Sequence, residues 1–420
     1  MSGQTTAAPE GDSHQAPLDE RPAEPAPWGR TTLARLRSAQ LAPERQALTW
    51  WVLTRLAGLW IAANAAWVFA RSDAPVSPYL ERWYTWDTQY FVKIAQNGYT
   101  ELPGDTGVYE AFFPGMPALL WVVHLVVPSW VVAGLLISFV GGAVAVMAMA
   151  RLAEEEFGTG VGGRAVLLLC VSPLAVFLSA GYTESLFLAF AVPAWLQARR
   201  GRWASACLLG AGASCVRITG LFLAAALIVE FAARWLPEKF RAPAHPGAAP
   251  TRLWQAGWLV VPFLPVLAYF GYLKSVHGSW TYYSEAQKLG WGREYSGFVK
   301  TFNNMWNAAF QPGGAPSWQW AYRLEIVAVA IGIALTIFLL ARLRYGEAVY
   351  VAVSLAALMT SGMYFSTARA TLLWWPLWIS LAALGSHPRY GTFLTRLYLV
   401  LFAPLAVFLA AAFTTWRWAG

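Results

Sequence analysis

Runs of about 20 apolar residues recur along this chain, and a helix of that length crosses a bilayer. The clearest lie at 48–70, 131–151, 163–180, 184–199, 254–274, 322–341, 346–364, 370–386 and 394–413, with short basic clusters between them. Inside a membrane every backbone N–H and C=O must be satisfied within the chain, so apolar runs of this length predict helices. The predicted fold class is therefore all-α, a polytopic transmembrane helix bundle. Composition agrees: 12% of the residues are charged, against about 25% in an average soluble protein. That excludes a large soluble enzyme and a disordered chain. Cys170, Cys207 and Cys215 all sit in apolar runs, which gives no disulfide framework and no zinc site.

The charges that remain set an orientation. Residues 1–45 are rich in Ala, Pro, Gly and Glu and read as a disordered cytoplasmic tail, followed by one transmembrane domain over 46–420. The first apolar run begins near Leu48, too late for a signal peptide. The clusters Arg199/Arg200/Arg202, Arg234/Lys239/Arg241/Arg252, Arg342/Arg344 and Arg389/Arg396 belong on the cytoplasmic side. The stretch 203–235 is interrupted by Ser214–Gly220 and reads as two abutting segments. The run 111–128 carries Pro114, Pro117 and Pro128, and its crossing would invert the loop holding Arg151 and Arg164. It is expected to be a juxtamembrane or re-entrant helix on the outer side. The result is about 11 spans in a cell membrane, with a cytoplasmic N-terminus and outer loops at 71–130 and 277–321. The net charge of +8 is spread over these clusters. No basic face long enough for a nucleic acid is present.

Chemistry concentrates on the outer side of this topology. Asp87 follows an aromatic stretch and precedes a short helical pattern over 88–96 that ends at Gly98. It reads either as that helix's N-cap or as a general base held among aromatic rings. Glu184 lies in Gly181–Tyr182–Thr183–Glu184–Ser185, between two apolar runs. A carboxylate there is expensive unless paired or wetted, and Arg217 in the 214–220 break is a matching expense. A structural Arg–Glu clamp and a clamp on an anionic substrate fit these residues equally. Arg369, in Phe365–Arg369, is a second cation on the same side, and two arginines suit a phosphate. The loop 277–321, with His277, Trp280, Tyr282, Tyr283, Glu285, Lys288, Trp291, Arg293 and Glu294, suits sugar stacking or a membrane-surface loop. The histidines are scattered, and no phosphate loop or nucleophile elbow occurs.

The order of motifs resembles a known family. Trp86–Asp87 with Tyr90, Ile94–Ala95 and Gly98–Tyr99, then Ala111–Pro114 with Pro117, is similar to the signature of the phosphatidylinositol-glycan class V (PIG-V) type mannosyltransferases and their bacterial relatives. These are polytopic glycosyltransferases of the GT-C superfamily. Gly181–Phe187, Arg217–Gly220 and Ser366–Arg369 with Trp375–Leu377 resemble the later motifs, in the family's order over roughly 50–385. Two departures stand out: Thr85 replaces the Arg usual before Trp–Asp, and Gly115–Met116–Pro117 replaces Leu–Tyr–Pro.

The resemblance implies outer-face juxtamembrane helices of the GT-C kind and transfer of a sugar, most readily mannose, from a polyprenyl-phosphate donor. The acceptor would be a hydroxyl on a glycan, glycolipid or glycoprotein, and transfer would proceed with inversion. Asp87 and Glu184 are then the catalytic candidates. Trp86, Tyr90, Tyr99, Phe113, Tyr182, Arg217, Tyr282, Tyr283 and Arg369 are the substrate-binding ones. No cofactor is demanded, since phosphate is a good leaving group, although a divalent metal is compatible. A polytopic transporter or lipid-linked-sugar flippase is the rival reading, and a non-catalytic scaffold subunit a third. Inverted repeats, a mark of many carriers, are not visible.

Overall fold

The computed structural model describes residues 42–69, 77–99, 107–241, 245 and 247–417. The chain divides at Ala42, and the larger unit is Pro43–Gly420. Of the segment expected to be a disordered tail, residues 1–41 lie outside the described residues, while 42–45 already form the first turn of a helix.

Among the described residues there are sixteen α-helices and no strand. The first half of the chain holds α1 (Ala42–Phe69), α2 (Asp87–Asn97), α3 (Gly115–His124), α4 (Trp130–Phe157), α5 (Val161–Cys170), α6 (Thr183–Arg199), α7 (Trp203–Val216) and α8 (Gly220–Ala233). A 3₁₀ stretch, Leu253–Phe263, runs directly into α9 (Leu264–His277). Then come α10 (Tyr282–Trp291), α11 (Phe298–Phe310), α12 (Pro316–Ala341), α13 (Tyr345–Met359), the single turn α14 (Thr367–Ala370), α15 (Trp375–Leu384) and α16 (Gly391–Thr414). Four helical stretches are long and apolar enough to cross a membrane: Trp130–Phe157, Leu253–His277, Pro316–Ala341 and Gly391–Thr414. On α16 the residues Phe393, Val400, Leu401 and Phe408 are exposed, as a lipid-facing surface requires.

Helices α4, α6 and α7 pack side by side, and α13 packs between α8 and α12. Small residues set the spacing. A Cβ on Gly134 of α4 would stand 3.1 Å from Gly181 Cα. A Cβ on Gly115, at the start of α3, would stand 2.6 Å from Cys215 O. The second contact draws Phe113 and Pro114 up to the break that carries Arg217. Trp83, Trp374 and Tyr364 are among the large side chains buried in the core.

The structure departs from the sequence reading at several helices; the expected 254–274 helix opens as the 3₁₀ stretch Leu253–Phe263, and the one expected over 346–364 ends at Met359. The helix expected over 163–180 stops at Cys170, and Val171–Tyr182 holds one 3₁₀ turn, Ala175–Leu178. Pro173 accounts for the stop, because its ring denies the preceding turn a hydrogen bond and disfavours helical Ser172. Side chains satisfy the freed carbonyls: Arg55 Nη1 donates to Ala175 O at 3.1 Å, Ser138 Oγ to Ala180 O at 2.5 Å and Ser185 Oγ to Leu178 O at 2.7 Å. The helix expected over 370–386 begins at Trp375, after a 3₁₀ turn and ahead of Pro376. Asp87 is the first residue of α2 and not its cap; Trp86 holds that place, with no side-chain cap bond. The break expected at 214–220 is present, between Val216 and Gly220. The run expected to be juxtamembrane holds α3, ten residues long, about 15 Å of helix and too short to cross. The loop expected over 277–321 is mostly helical, formed by α10, α11 and the start of α12.

Candidate functional site

Four charged side chains from four separate chain segments meet in one linked series. Arg369 Nη1 donates to Asp87 Oδ2 at 3.0 Å, and Arg369 Nε stands 3.4 Å from Glu184 Oε1. Arg217 Nη1 donates to the same Glu184 oxygen at 2.7 Å and to Thr183 Oγ1 at 2.6 Å. Asp87 and Arg217 thus sit at the two ends, and Arg369 and Glu184 join them. Burial works against the Arg369 charge, but Asp87 and then Glu184 outweigh it and hold the guanidinium above its ordinary value. The aromatic bed beneath Arg369 comes from the broken segment Val171–Tyr182: its guanidinium carbon lies 5.2 Å from the Phe177 ring centre and 5.6 Å from that of Tyr182. Tyr182 Oη also accepts the Asp87 N–H at 3.2 Å.

Irregular backbone delivers these groups. Trp86, immediately before Asp87, takes φ 50°, and Ser366, three residues before Arg369, takes φ 64°. A non-glycine residue in this region costs of order 1–3 kcal/mol, held only where the surroundings over-determine it. At Ser366 the restraint is visible: both oxygens of the buried Glu325 carboxylate on α12 accept backbone N–H groups, from Ser366 at 2.9 Å and from Ala368 at 2.7 Å. Arg217 is extended, with φ −152° and ψ 151°, because it bridges α7 and α8.

The series borders a cavity of about 830 Å³. Of the residues expected from the sequence, Trp86, Asp87, Tyr90, Phe113, Tyr182, Arg217, Tyr283 and Arg369 line it. Three do not. Glu184 is fully buried behind the two arginines, so it reaches the cavity through them. Tyr99 is a prop, its hydroxyl donating to Phe112 O at 2.7 Å. Tyr282 lies flat on His277, ring centres 3.7 Å apart, and His277 Nε2 is 3.1 Å from the buried Glu110 carboxylate. One wall is aromatic: Tyr90 stacks on Phe112 at 5.1 Å, and Trp291 meets Phe112 edge-on at 5.4 Å.

Two residues of this site escaped the reading of the sequence as site residues. Arg293 lines the cavity, and its Nη2 donates to Phe365 O at 3.0 Å. Its Nε is buried without a partner among the described residues, and no carboxylate lies within 4.0 Å of it there. Burial, and then repulsion from Arg369, pulls Arg293 below its ordinary value. In the sequence it was one polar residue among many in the 277–321 stretch. Glu325 had a clearer signal, being an acid within the apolar run 322–341. Among the described residues, no group of three His, Cys, Asp or Glu side chains is placed to hold a metal ion.

An all-helical membrane protein with a charge-lined cavity among its helices is the class that fold and site define. Within it, residues 66–239 match the family model described as Mannosyltransferase (PIG-V), in agreement with the resemblance carried by the motifs. That stretch contains Asp87, Glu184 and Arg217, and leaves Arg293, Glu325 and Arg369 beyond it. The chain is similar to GPI alpha-1,6-mannosyltransferase 2 of Homo sapiens, 37% identical over 150 residues, which is 32% of this chain and 29% of the relative. The Mus musculus protein of the same name is 38% identical over 151 residues, with the same shares. The chain thus aligns with under a third of the length of these curated relatives. Among solved structures it is similar to the Archaeoglobus fulgidus oligosaccharyltransferase AglB, in complex with an inhibitory peptide and a dolichol-phosphate. The TM-score is 0.41 at 12% identity, covering 88% of this chain and 56% of that one. It is also similar to ArnT from Cupriavidus metallidurans bound to undecaprenyl phosphate, with a TM-score of 0.44 at 14% identity, covering 88% and 74%.

Proposed function

We propose that this protein is a membrane mannosyltransferase that uses a polyprenyl-phosphate-linked sugar. The observation that carries the reading is the Asp87–Arg369–Glu184–Arg217 series beside a cavity with an aromatic wall. The names of the matched family and relatives point to mannose as the sugar. In the proposed step Asp87 takes the proton of an acceptor hydroxyl. The hydroxyl oxygen bonds to the anomeric carbon from the face opposite the phosphate, so the configuration inverts. The bond from the anomeric carbon to the phosphate oxygen breaks, and polyprenyl phosphate leaves with the electron pair.

The roles divide by charge. Arg369 is held between two carboxylates, which suits orienting Asp87 and balancing its charge. Arg217 spends its Nη1 on Thr183 and Glu184 and borders the cavity, so it can also stabilise charge growing on the leaving oxygen. Arg293, the cavity arginine without a carboxylate partner among the described residues, is suited to hold the donor phosphate. The site faces the outer side of a cell membrane, with the N-terminus cytoplasmic, on the basis of the basic clusters.

The test is transfer by the purified full chain given polyprenyl-phosphomannose, and separately the glucose analogue, together with membrane extract as a source of acceptor. Free polyprenyl phosphate is the readout. Asp87→Asn is expected to lower its release by about 10²–10⁴-fold, the usual contribution of a general base, while the protein still elutes as a folded species. Release from the Asp87→Asn protein at the parent rate removes Asp87 as the base. No release from the parent chain with either donor sinks the transferase reading.

A further inference from the structure

A second cavity, of about 650 Å³, opens at the other end of the bundle. Helix α6 connects the two ends: Glu184 stands at its first turn and Arg199 is its last residue, about 22 Å apart at 1.5 Å per residue. The cavity's floor is charged. Glu156 accepts from Arg199 Nε at 2.8 Å and also pairs with Arg344. Glu155 pairs with Arg200 at 2.5 Å and with His245 Nε2 at 2.7 Å. Each acid on this floor therefore already faces two basic side chains, which removes most of the repulsion a bare carboxylate would exert on an incoming anion.

One cation here is not used in this way. Arg342 lines the cavity and is exposed, and among the described residues no carboxylate lies within 4.0 Å of it. Its guanidinium carbon rests 5.4 Å from the Phe338 ring centre. Ser380 and Tyr390 place hydroxyl-bearing side chains along the same lining, while the Ser386 hydroxyl there already accepts from Arg164 and donates to Ala382 O at 3.0 Å. The rest of the lining is His387, whose ring stacks on Tyr390 at 3.8 Å, and apolar side chains, two of which, Phe157 and Leu384, are each 42% exposed. A cation needed only to orient the chain in a membrane would require neither a cavity nor hydroxyls. A pocket for a soluble anion would gain nothing from an exposed apolar wall.

We propose that this cavity binds the phosphate headgroup of an anionic phospholipid, with Arg342 as its charge partner and the Phe157–Leu384 wall against the first part of an acyl chain. Basic pockets between helix ends are where membrane proteins hold acidic lipids, and an arginine supplies charge-assisted bonds to phosphate oxygens. The proposal is independent of the reading of the first cavity, since it requires only that the chain lies in a bilayer.

The test uses the full chain reconstituted in vesicles of phosphatidylcholine mixed with phosphatidylglycerol, then re-extracted, with retained lipid counted by native mass spectrometry. The parent chain is expected to retain phosphatidylglycerol over phosphatidylcholine by about tenfold relative to their proportions, the effect of roughly one charge-assisted bond. Arg342→Ala should lose most of that preference and Arg342→Lys should keep part of it. Arg202→Ala removes an equal charge at the same end but outside this cavity, and should leave the preference intact. Equal loss from Arg342→Ala and Arg202→Ala would show a diffuse charge effect and overturn the site. So would a parent chain with no preference. Displacement of the retained lipid by millimolar inorganic phosphate alone would overturn the assignment to a lipid.

Discussion

The two charged clusters use the same residue types to different ends. At the far end Arg199, Arg234 and Arg344 meet Glu156, Glu230 and Glu347, three bases against three acids, each from a helix end, a last or first turn, or a residue beside one. Near the first cavity Asp87 and Glu184 meet Arg217 and Arg369, with Arg293 close by and no carboxylate within 4.0 Å of it among the described residues. There the arginines come from a one-turn helix, from an extended link between helices and from the link after α10. Strained residues stand beside both clusters: Trp86 and Ser366 flank the one at the cavity, and Leu343, at φ 59°, directly precedes Arg344 in the other, so the contrast lies in the broken helices and not in strain alone. Regular helix ends bring opposite charges together as a consequence of packing. Broken helices cost hydrogen bonds and strain, and here they coincide with charges turned toward a cavity lined by aromatic rings.

Matched removal of one acid from each cluster gives the largest effect and tests the contrast directly. Glu184 serves two arginines at 2.7 and 3.4 Å, and Glu230 serves two at 2.8 and 3.3 Å. Breaking a buried pair by removing one partner costs about 3–5 kcal/mol. Glu184→Gln and Glu230→Gln should therefore both lower the thermal midpoint of the purified protein by similar amounts. Transfer per folded molecule should fall only with Glu184→Gln. An equal fall in both would erase the distinction between the clusters.

The unmatched arginine comes next in size. Arg293→Gln should raise KM for the phosphate-linked donor by roughly 10–100-fold, the worth of hydrogen bonds to a charged group, with a smaller change in kcat. Arg293→Lys should recover part of the loss. Steady-state kinetics at varied donor concentration checks this, and an unchanged KM would leave the donor phosphate to Arg217. Glu325→Gln is expected to act more gently. Its carboxylate holds the turn that carries Arg369 by two backbone N–H groups, and weakening both should cost about 1.5 kcal/mol, roughly tenfold in kcat. Because Glu325 works through Arg369, donor KM should stay near the parent value. A shift in KM with kcat unchanged would place Glu325 in donor binding instead.

The legible part of this molecule was its apolar periodicity and its scarce charges. The break at 214–220, the short helix after Asp87 with Gly98 at its end, and the grouping of Asp87, Glu184, Arg217 and Arg369 all stem from where polar residues interrupt apolar runs. The misread parts have specific causes. The stop at Cys170 had its signal in Pro173, inside an otherwise apolar run; what only the fold shows is that Arg55, Ser138 and Ser185 reach the carbonyls freed beyond it. Tyr99, which the family resemblance made a substrate-binding candidate, props a carbonyl, and Tyr282, from the 277–321 loop, covers a histidine, so neither lines the cavity. Arg293 and Glu325 were visible as letters, but their importance lies in partners they lack or hold across the fold.

By itself the sequence determined that this chain is helical and membrane-type. With few charges to place, each charge within an apolar run is costly enough to mark a constraint. Tertiary structure decided which charges neutralise one another and which remain turned toward a cavity. That choice depends on distances of a few ångströms between segments hundreds of residues apart, such as the 3.0 Å between Asp87 and Arg369. Coulomb energies fall with distance and with solvent access, neither of which is written in the order of residues.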